Sequence, residues 1–320
     1  MDRVGVAVIG CGAWGRNHLR VLSELRRAKL IAVSDINPDA LKIVKEKYNI
    51  QVYTDYHEML KDKEIEAITI CTPSSTHAKI ALDVIKAGKN LLVEKPMTVT
   101  VEEAKILIEK AYEHEVKLMV GHIERYNPAV QRVKKMIDEG KIGEVVLISS
   151  KRVSRWPERV GDVGVVKDLA IHDLDLMRYI TGNEPTEIYA VTGSLKHEYY
   201  EDHANIILKF NSNPTGIIEA NWITPKKIRE LTVTGSEGRI VADYITQEIR
   251  IENSNGVYIP NTQYEEPLKR ELENFINVVL GIEDPIVTGR DGLIAVYLCE
   301  LALKSAKTGE PMKVKGIMNL

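Results

Sequence analysis

The chain has 320 residues, of which 44% are hydrophobic and 28% charged, and its formal net charge is −3. This length is natural for two domains, and the near-neutral charge provides no overall basic surface, which argues against nucleic acid as a partner. No apolar run approaches the roughly 18–20 residues that span a bilayer, so no membrane partner is expected.

The three cysteines, Cys11, Cys71 and Cys299, are few, odd in number and widely spaced. They form neither a disulfide framework nor a metal-binding set. The chain also enters an apolar run at once, instead of the charged and then apolar regions of a signal peptide. Both observations favour a cytoplasmic protein, and we expect no metal.

The first predicted elements form a nucleotide-binding pattern. Residues 4–9 are almost continuously apolar, as expected of a strand that is buried on both faces of a parallel sheet. Gly10-Cys-Gly12-Ala-Trp-Gly15 follows, then a helical stretch, and then a second strand at 30–33 that ends beside Asp35. Strand, glycine loop, helix, strand and acid in this order are the fingerprint of dinucleotide binding.

Each part of this fingerprint has a physical role. Gly10 permits the tight turn, Gly12 lets the backbone approach a pyrophosphate, and Gly15 lets the helix pack closely on the strand. The N-terminus of the helix offers unpaired N–H groups to the phosphates. Asp35 can accept hydrogen bonds from the adenosine ribose and would repel a 2′-phosphate, so NAD is favoured over NADP. The alternative is a glycine-rich turn without a nucleotide.

Strands and helices continue to alternate as far as residue 120. The further strands are predicted at 51–53, 67–71, 90–93 and 117–120, and the helices at 38–47, 55–60, 76–87 and 100–114. This alternation predicts a doubly wound parallel sheet of the Rossmann type, which binds ligands at the carboxyl ends of its strands. Thr72, Lys95 and Gly121 are expected at those ends.

The second half of the chain has a different pattern. Strands are predicted at 144–153, 186–195, 204–210, 215–222, 229–234, 239–244 and 248–252, and helices at 128–140, 268–280 and 290–307. Consecutive strands without crossover helices indicate an antiparallel sheet. We therefore predict a dinucleotide-binding domain at 1–121 and a substrate-binding α+β domain at 122–320, whose last helix can pack back on the first domain.

The run from Asp168 to Asp175 carries the clearest chemical signal. Apolar residues recur in it near helical spacing and predict a helix, on which Asp168, His172, Asp175 and Tyr179 share one face. Histidine exchanges protons near neutral pH, and an aspartate one turn away can hold the ring or raise its basicity. This pair therefore suggests proton transfer.

These residues also have ordinary explanations. His172 is either a catalytic base or a buried, hydrogen-bonded histidine. Asp168 can orient His172, bind substrate hydroxyls, or simply favour the helix dipole. Asp173 and Asp175 either contribute to function or belong to a solvated helix face.

Further candidates surround this helix in the sequence. Tyr126 and Asn127 can line a sugar site, although Asn127 can also merely cap a helix. Arg155 and Arg159 can bind a substrate pyrophosphate, because arginine binds phosphate in a bidentate manner, or they are solvated loop charges. Five other histidines are assigned to helix starts beside the cofactor strands (His18, His77) or to the surface (His114, His197, His203).

The sequence resembles the Gfo/Idh/MocA family of nicotinamide-dependent oxidoreductases over nearly the whole chain. The matching motifs are Gly10-x-Gly12-x-x-Gly15, Asp35, Cys71-Thr-Pro73, Glu94-Lys95-Pro96, Arg125-Tyr-Asn-Pro128 and Asp168-x-x-x-His172. The resemblance implies that Lys95, which would otherwise be a surface lysine, lies between nicotinamide and substrate, and that Asp168 and His172 complete the catalytic set. It also implies an open, mostly antiparallel second sheet whose free face forms a homodimer or homotetramer.

Two stretches resemble a subset of that family. Many members have Gly-Gly before the catalytic helix, where this chain has Gly161-Asp-Val-Gly164. The runs 121–129 and 155–164 look most like members that oxidise UDP-N-acetylated sugars, such as UDP-N-acetylglucosamine, at carbon 3.

The sequence therefore predicts an NAD-dependent enzyme that oxidises a ring hydroxyl of a nucleotide sugar, with His172 as base and Lys95 orienting the reacting oxygen. The alternatives are a dehydrogenase of a free sugar or inositol, and an NAD-binding regulator without turnover. The predicted cofactor-binding residues are Gly10, Gly12, Ala13, Trp14, Gly15, Asp35, Thr72, Pro73, His77, Glu94 and Lys95. The predicted substrate-binding residues are Tyr126, Asn127, Arg155, Arg159, Asp168 and His172.

Overall fold

The computed structural model describes residues 3–157, 161–211 and 214–316. The chain divides into two compact units. The first comprises Met1–Ile123 and Glu266–Leu293, and the second comprises Glu124–Glu265 and Ile294–Leu320. The functional domain limits predicted at 121/122 stay a prediction, as does the docking of the last helix.

The described residues form the following elements. The strands are β1 (Val4–Ile9), β2 (Ala28–Ser34), β3 (Gln51–Tyr53), β4 (Ala67–Ile70), β5 (Asn90–Glu94), β6 (Leu118–Gly121), β7 (Val145–Val153), β8 (Pro185–Gly193), β9 (His203–Phe210), β10 (Thr215–Asn221), β11 (Ile228–Gly235), β12 (Gly238–Asp243), β13 (Ile249–Asn253), β14 (Gly256–Tyr258) and β15 (Met312–Lys313). The helices are α1 (Ala13–Glu24), α2 (Pro38–Tyr48), α3 (Tyr56–Leu60), α4 (Ser74–Lys86), α5 (Val101–Glu113), α6 (Pro128–Asp138), α7 (Ile171–Thr181), α8 (Pro267–Val279) and α9 (Gly289–Thr308).

The first unit is built on a six-stranded sheet in the order β3-β2-β1-β4-β5-β6, and all neighbouring strands are parallel. Every residue of β1 and β4 is buried, which explains their continuous apolar sequences. The strand order reverses direction at β1, and ligands of such sheets bind at the carboxyl ends of the strands there. The predicted Rossmann sheet is confirmed.

Side-chain interactions define the helices of this unit. The Thr100 hydroxyl accepts the N–H of Glu103, and the Glu103 carboxylate accepts the N–H of Thr100, so the predicted capping box opens α5. Helix α8 packs along α1, where Arg27 Nη1 donates to Asn277 Oδ1 at 2.8 Å. Because of this packing, residues 266–293 belong to the first unit although they follow all strands of the second unit's sheet except β15 in the chain.

The second unit contains a nine-stranded sheet in the order β14-β13-β12-β11-β7-β10-β9-β8-β15. Every neighbouring pair in the described sheet is antiparallel except β7 and β10, which run parallel. The predicted open, mostly antiparallel sheet is therefore confirmed. The sequence missed both edge strands, β14 and β15, because three and two residues are too few to show a periodic pattern.

The two faces of this second sheet differ. In β9, alternate side chains from Ala204 to Phe210 enter the core, and α6 and α7 contribute apolar residues to the same core. The opposite face carries apolar side chains that remain in contact with solvent, such as Ile207 and Ile217. The described part of the chain contains no helix that is both long and apolar enough to cross a membrane.

Candidate active site

The glycine loop of the first unit has the geometry that nucleotide binding requires. Gly10 has a φ of +90°, which side-chain-bearing residues rarely adopt. A Cβ at Gly15 would lie 1.9 Å from the Gly10 carbonyl oxygen, so only glycine permits this helix–strand contact. A Cβ at Gly12, the residue before α1, would meet no described atom within 4 Å. The backbone there is open to an approaching pyrophosphate.

The residues beside this loop also fit a dinucleotide. The first turn of α1, which includes Ala13 and Trp14, contains no acidic residue, so the N–H groups and positive dipole end are offered to phosphate without competition. Asp35 follows β2, and its carboxylate accepts the N–H of Cys11 at 2.7 Å and that of Asn37 at 2.9 Å. The carboxylate is therefore held next to the glycine loop, where a ribose hydroxyl can reach it.

Glu94 anchors a buried polar cluster at the end of β5. Its Oε1 accepts the indole N–H of Trp14 at 2.7 Å and the Nε2–H of His18 at 3.0 Å, and its Oε2 accepts the N–H of Lys95 at 3.3 Å. Burial alone would raise the pKa of Glu94, but His18, Trp14 and Lys95 together lower it. Its predicted contact with the cofactor stays a prediction; within the protein it fixes Trp14 and the backbone of Lys95.

The predicted cofactor residues after β4 are arranged around a buried histidine. Pro73 precedes α4 as its N-cap residue, and the Thr72 hydroxyl accepts that of Thr76 at 2.8 Å. The ring nitrogens of His77 face two carbonyl oxygens, Nδ1 that of Pro96 at 2.8 Å and Nε2 that of Thr72 at 2.9 Å. His77 thus contacts the backbone of two segments, one after β4 and one after β5, where the nicotinamide is predicted to bind.

The helix that carries the candidate base begins with a wider turn than the sequence suggested. Val166–Ala170 is π-helical and runs directly into α7, so α-helical spacing does not hold between Asp168 and His172. The single shared face predicted for Asp168, His172, Asp175 and Tyr179 assumes a continuous α-helix, and it stays a prediction. His172 is 8% exposed and Asp168 is half-buried.

Backbone contacts explain the glycine before this helix. The Glu201 carbonyl oxygen accepts the N–H of Val165 at 3.0 Å, and its carboxylate accepts that of Val166 at 3.0 Å. A Cβ at Gly164 would lie 2.2 Å from that carboxylate. With this carboxylate in place the loop favours a glycine at this position, although the Gly-Gly that the resemblance leads us to expect is absent.

Asp173 and Asp175 do not belong to a solvated face, which corrects that alternative. Asp173 is fully buried and accepts Arg152 Nε at 2.6 Å, and Asp175 is buried and accepts Arg125 Nη2 at 2.6 Å. The sequence missed both pairs because their members lie 21 and 50 residues apart. Burial of a charge is costly unless it is paired, and here each carboxylate has its arginine.

The structure supports the capping role of Asn127. Its Oδ1 accepts the N–H of Ala129 at 3.1 Å, and its Nδ2 donates to Tyr244 O at 2.9 Å and Glu124 Oε2 at 3.1 Å. These bonds occupy the amide, so it has little capacity left for a sugar hydroxyl. Tyr126 is buried, and its contact with substrate stays a prediction.

Of the two candidate loop arginines, only Arg155 lies among the described residues. Arg155 is exposed, and its Nε donates to the Pro225 carbonyl oxygen at 2.7 Å. Arg159 lies outside the described residues. Arg155 thus belongs to the same rim of the sheet as the loop from β10 to β11.

An aromatic group beside Arg155 was not predicted. Trp156 and Trp222 meet edge-on with ring centroids 6.0 Å apart, and His197 lies 6.2 Å from Trp156. His197 Nδ1 accepts the N–H groups of Tyr199 and Tyr200 at 3.0 Å, so it is partly enclosed and not the plain surface residue that we expected. Residues from three separate loops build this group, so no local spacing reveals it.

Two further observations concern potential metal ligands and the cysteine thiols. Among the described residues, no group of three or more potential metal ligands converges. Burial and the neighbouring Asp35 raise the pKa of Cys11 to about 12, and burial raises the pKa of Cys71 well above its ordinary value. Both therefore remain protonated thiols at neutral pH.

Comparison with known proteins adds to this geometry. The model of the oxidoreductase family with an NAD-binding Rossmann fold (GFO_IDH_MocA) matches residues 4–122, and the GFO/IDH/MocA C-terminal domain matches 130–241. Myo-inositol 2-dehydrogenase of Thermotoga maritima is 30% identical over 98% of this chain and 99% of its own length. UDP-N-acetylglucosamine 3-dehydrogenase of Acidithiobacillus ferrooxidans is 27% identical over 95% of this chain and 99% of its own.

A solved structure of the latter enzyme has a TM-score of 0.87 at 25% identity, covering 96% of this chain and 99% of that one. The inositol dehydrogenase shares the higher sequence identity. The relatives therefore do not single out the nucleotide-sugar members that the sequence predicted.

Proposed function

The chain belongs to the Gfo/Idh/MocA oxidoreductase family, and from that premise we propose that it oxidises a ring hydroxyl of a nucleotide sugar to a ketone with NAD. UDP-N-acetylglucosamine, oxidised at carbon 3, is the proposed substrate. The observation that carries the proposal is the pair of Asp168 and His172 at the start of a buried helix, with Arg155 on the same unit.

The reaction defines what the side chains must do. An alcohol and NAD⁺ give a ketone, NADH and a proton; NAD⁺, when bound, would supply the hydride acceptor, so the protein must supply an acceptor for the hydroxyl proton. We assign His172 as the acceptor, because imidazole is an effective base near neutral pH. Asp168 is assigned to orienting His172 or binding substrate hydroxyls, and Lys95, directly after β5, to a hydrogen bond with the reacting oxygen.

Asp35 supports NAD over NADP. The N–H groups of Cys11 and Asn37 hold its carboxylate at the end of β2. A fixed carboxylate accepts hydrogen bonds from ribose hydroxyls, whereas it would repel the 2′-phosphate of NADP. We therefore expect the enzyme to prefer NAD.

Arg155 supports the nucleotide-sugar substrate. Among the contacts of the described residues, only its Nε is engaged, so its two terminal nitrogens can bind a pyrophosphate. A second candidate is the oxidation of a free polyol. The 30% identity with the myo-inositol 2-dehydrogenase of Thermotoga maritima supports it. The two candidates differ in whether the substrate carries phosphate.

The experiment that tests the proposal is a panel of substrates in which turnover is measured by the absorbance of NADH. UDP-sugars, hexoses and inositols are each supplied with NAD or NADP. We expect turnover with UDP-sugars and NAD, and we expect Arg155→Ala to raise KM for the UDP-sugar and leave KM for a polyol unchanged. An unchanged KM for the UDP-sugar would reject the nucleotide-sugar assignment in favour of a polyol.

The base assignment has its own variant. His172→Ala should lower kcat by roughly 10²- to 10⁴-fold, because general base catalysis typically contributes that much, while NAD binding persists. His114→Ala, at an exposed helix end, is the matched control and should leave kcat unchanged. Full turnover by His172→Ala would show that another group takes the proton. A wild-type protein that binds NAD but oxidises nothing in the panel would instead favour an NAD-binding regulator.

A further inference from the structure

Two arginines of the second unit lie directly opposite each other on neighbouring strands. In the antiparallel pairing of β7 with β11, Arg152 is the partner of Arg229. Residues paired in this way project from the same face with Cβ atoms about 5 Å apart, and like charges there repel. The pair therefore needs compensating negative charge.

The protein compensates only one of the two. Arg152 is 1% exposed, and its Nε donates to Asp173 Oδ2 at 2.6 Å and its Nη1 to Glu124 Oε1 at 2.8 Å. Its guanidinium also lies over the Tyr244 ring at 5.2 Å. Burial alone would lower the pKa of Arg152, but the two carboxylates raise it above its ordinary value. Both carboxylates thus bond directly to Arg152 and act on Arg229 only at longer range.

Arg229 has no comparable partner. Its guanidinium makes no hydrogen bond or close ion pair with any of the residues that the structure describes, and the residue is half-buried. Burial, followed by the charge of Arg152, lowers the pKa of Arg229 to about 10. The group therefore stays cationic at neutral pH while it is partly removed from water and repelled by its neighbour. Such a cation is stabilised by any anion that reaches it.

Two further cations belong to the loop before β11 or bond to it. Lys227 lies two residues before it, and partial burial and the charge of Arg229 lower the pKa of this lysine. Arg155 is tied to the same loop through the Pro225 carbonyl oxygen. Asp168, the candidate catalytic carboxylate, interacts electrostatically with Arg229. We name Arg155, Lys227 and Arg229 the Arg229 cluster.

We propose that the Arg229 cluster binds an anionic group of the substrate, a carboxylate or a phosphate, close to Asp168. The inference rests on the proposed function and narrows it, because it makes the substrate an acidic sugar derivative and not a neutral polyol. The planar guanidinium matches both anions with two parallel hydrogen bonds. A bound anion would also relieve the repulsion between Arg229 and Arg152. Arg229 is then a specificity-determining residue.

The test measures binding by titration calorimetry, with NADH present, for wild type, Arg229→Gln and Arg229→Lys. The probes are glucuronate, glucose 1-phosphate and UDP as anions, and glucose and myo-inositol as neutral compounds. Arg229→Gln should lower the affinity for the anion that the cluster recognises by about 10- to 100-fold, because hydrogen bonds to charged groups are stronger than those between neutral groups. Arg229→Lys should retain part of the affinity, and neutral probes should change less than twofold.

The pattern across the probes identifies the anion. A loss confined to glucuronate indicates a carboxylate on the sugar, and a loss confined to glucose 1-phosphate and UDP indicates phosphate. Arg250→Gln is the matched control, because Arg250 lies on β13 of the same sheet and pairs with Glu252, and it should change nothing. Lys227→Gln, on an exposed loop, should lower the affinity for the same anion several-fold. This second variant keeps the test informative if Arg229→Gln folds poorly.

Two results would overturn the inference. One is that none of the anionic probes binds to the wild type, and the other is that neither Arg229→Gln nor Lys227→Gln affects any anion. NAD reduction, measured in parallel, tests the proposed function separately. If the protein binds anions through Arg229 but reduces no NAD, the inference about the Arg229 cluster stands and the proposed enzyme activity is rejected.

Discussion

At the residue scale, buried charge in the second unit is arranged as matched pairs around α7. Asp173 binds Arg152 and Asp175 binds Arg125, so two carboxylates on one helix are neutralised by arginines from other segments. Desolvation can cost as much as such a pair gains, so the pairs add little net stability. Their hydrogen bonds instead fix which sides of α7 face Arg125 and Arg152.

Removing one member of a pair should expose this cost. We expect Asp173→Ala to lower the free energy of unfolding by about 3–5 kcal/mol, because the buried Arg152 would lose a partner. Urea denaturation at pH 7 measures it. The matched control is Lys151→Met, at the next position of β7, whose exposed pair with Glu219 should contribute at most about 1 kcal/mol. Equal losses for the two variants would contradict the prediction.

At the element scale, the segment between β8 and β9 organises two neighbouring loops. Glu201 holds the start of the π-helical turn through the N–H groups of Val165 and Val166. Asp202 accepts the N–H groups of Leu195, Lys196 and His197 through one carboxylate oxygen. The strand start at 201–203 thus connects the turn before His172 to the loop that carries the aromatic group.

Asp202 makes this connection sensitive to acid. Burial alone would raise its pKa, but the N–H of Lys196, the His203 ring and the N–H groups of Leu195 and His197 lower it to about 2. The carboxyl group of an unfolded chain titrates near 3.9. A folded pKa below the unfolded one stabilises the protein above the unfolded pKa, and this stabilisation is lost as the pH falls through the folded pKa.

The variant Asp202→Asn should therefore be less stable than the wild type at pH 5, and the gap should shrink by about 2–3 kcal/mol between pH 5 and pH 2. Denaturant titrations at both pH values measure the gap. Asp39→Asn, which removes an exposed carboxylate on α2, should show a much smaller pH dependence. A gap for Asp202→Asn that is independent of pH would show that the carboxylate charge does not hold the loop.

At the scale of the whole molecule, the outer face of the second sheet presents a row of apolar side chains. Tyr189, Ile207 and Ile217 are in register across β8, β9 and β10. Ile207 is 45% exposed and Ile217 is 38% exposed. Contiguous apolar surface on a sheet face is typical of a protein–protein contact. A homodimer or homotetramer through this face stays our prediction.

A charge in this row should separate the subunits. We expect Ile207→Glu to elute as a smaller species than the wild type in size-exclusion chromatography with light scattering, because a carboxylate would be buried without a partner. Ile43→Glu, on the exposed side of α2, is the control and should leave the mass unchanged. A wild type that is monomeric at all concentrations would rule out the predicted assembly.

Local signals account for what was predictable. The buried runs of β1 and β4, the glycine loop and the Thr100–Glu103 capping box each involve residues within a few positions of one another, and the structure contains them as expected. The π-helical turn that contains Asp168 was not predicted, because it differs from an α-helical turn by a single residue that no periodicity records. The aromatic group at Trp156 was missed because its members come from separate loops.

The sequence by itself determined the Rossmann sheet, the antiparallel character of the second sheet, the family and the identity of the candidate proton-transfer pair. These features follow from patterns of residues that are close together in the sequence, so they can be recognised without the tertiary structure. Only the tertiary structure decided that Asp173 and Asp175 are buried with arginines and that Arg229 lies opposite Arg152 without a carboxylate of its own. The reason is strand register, since a slip of one residue would move every side chain of β11 to the other face.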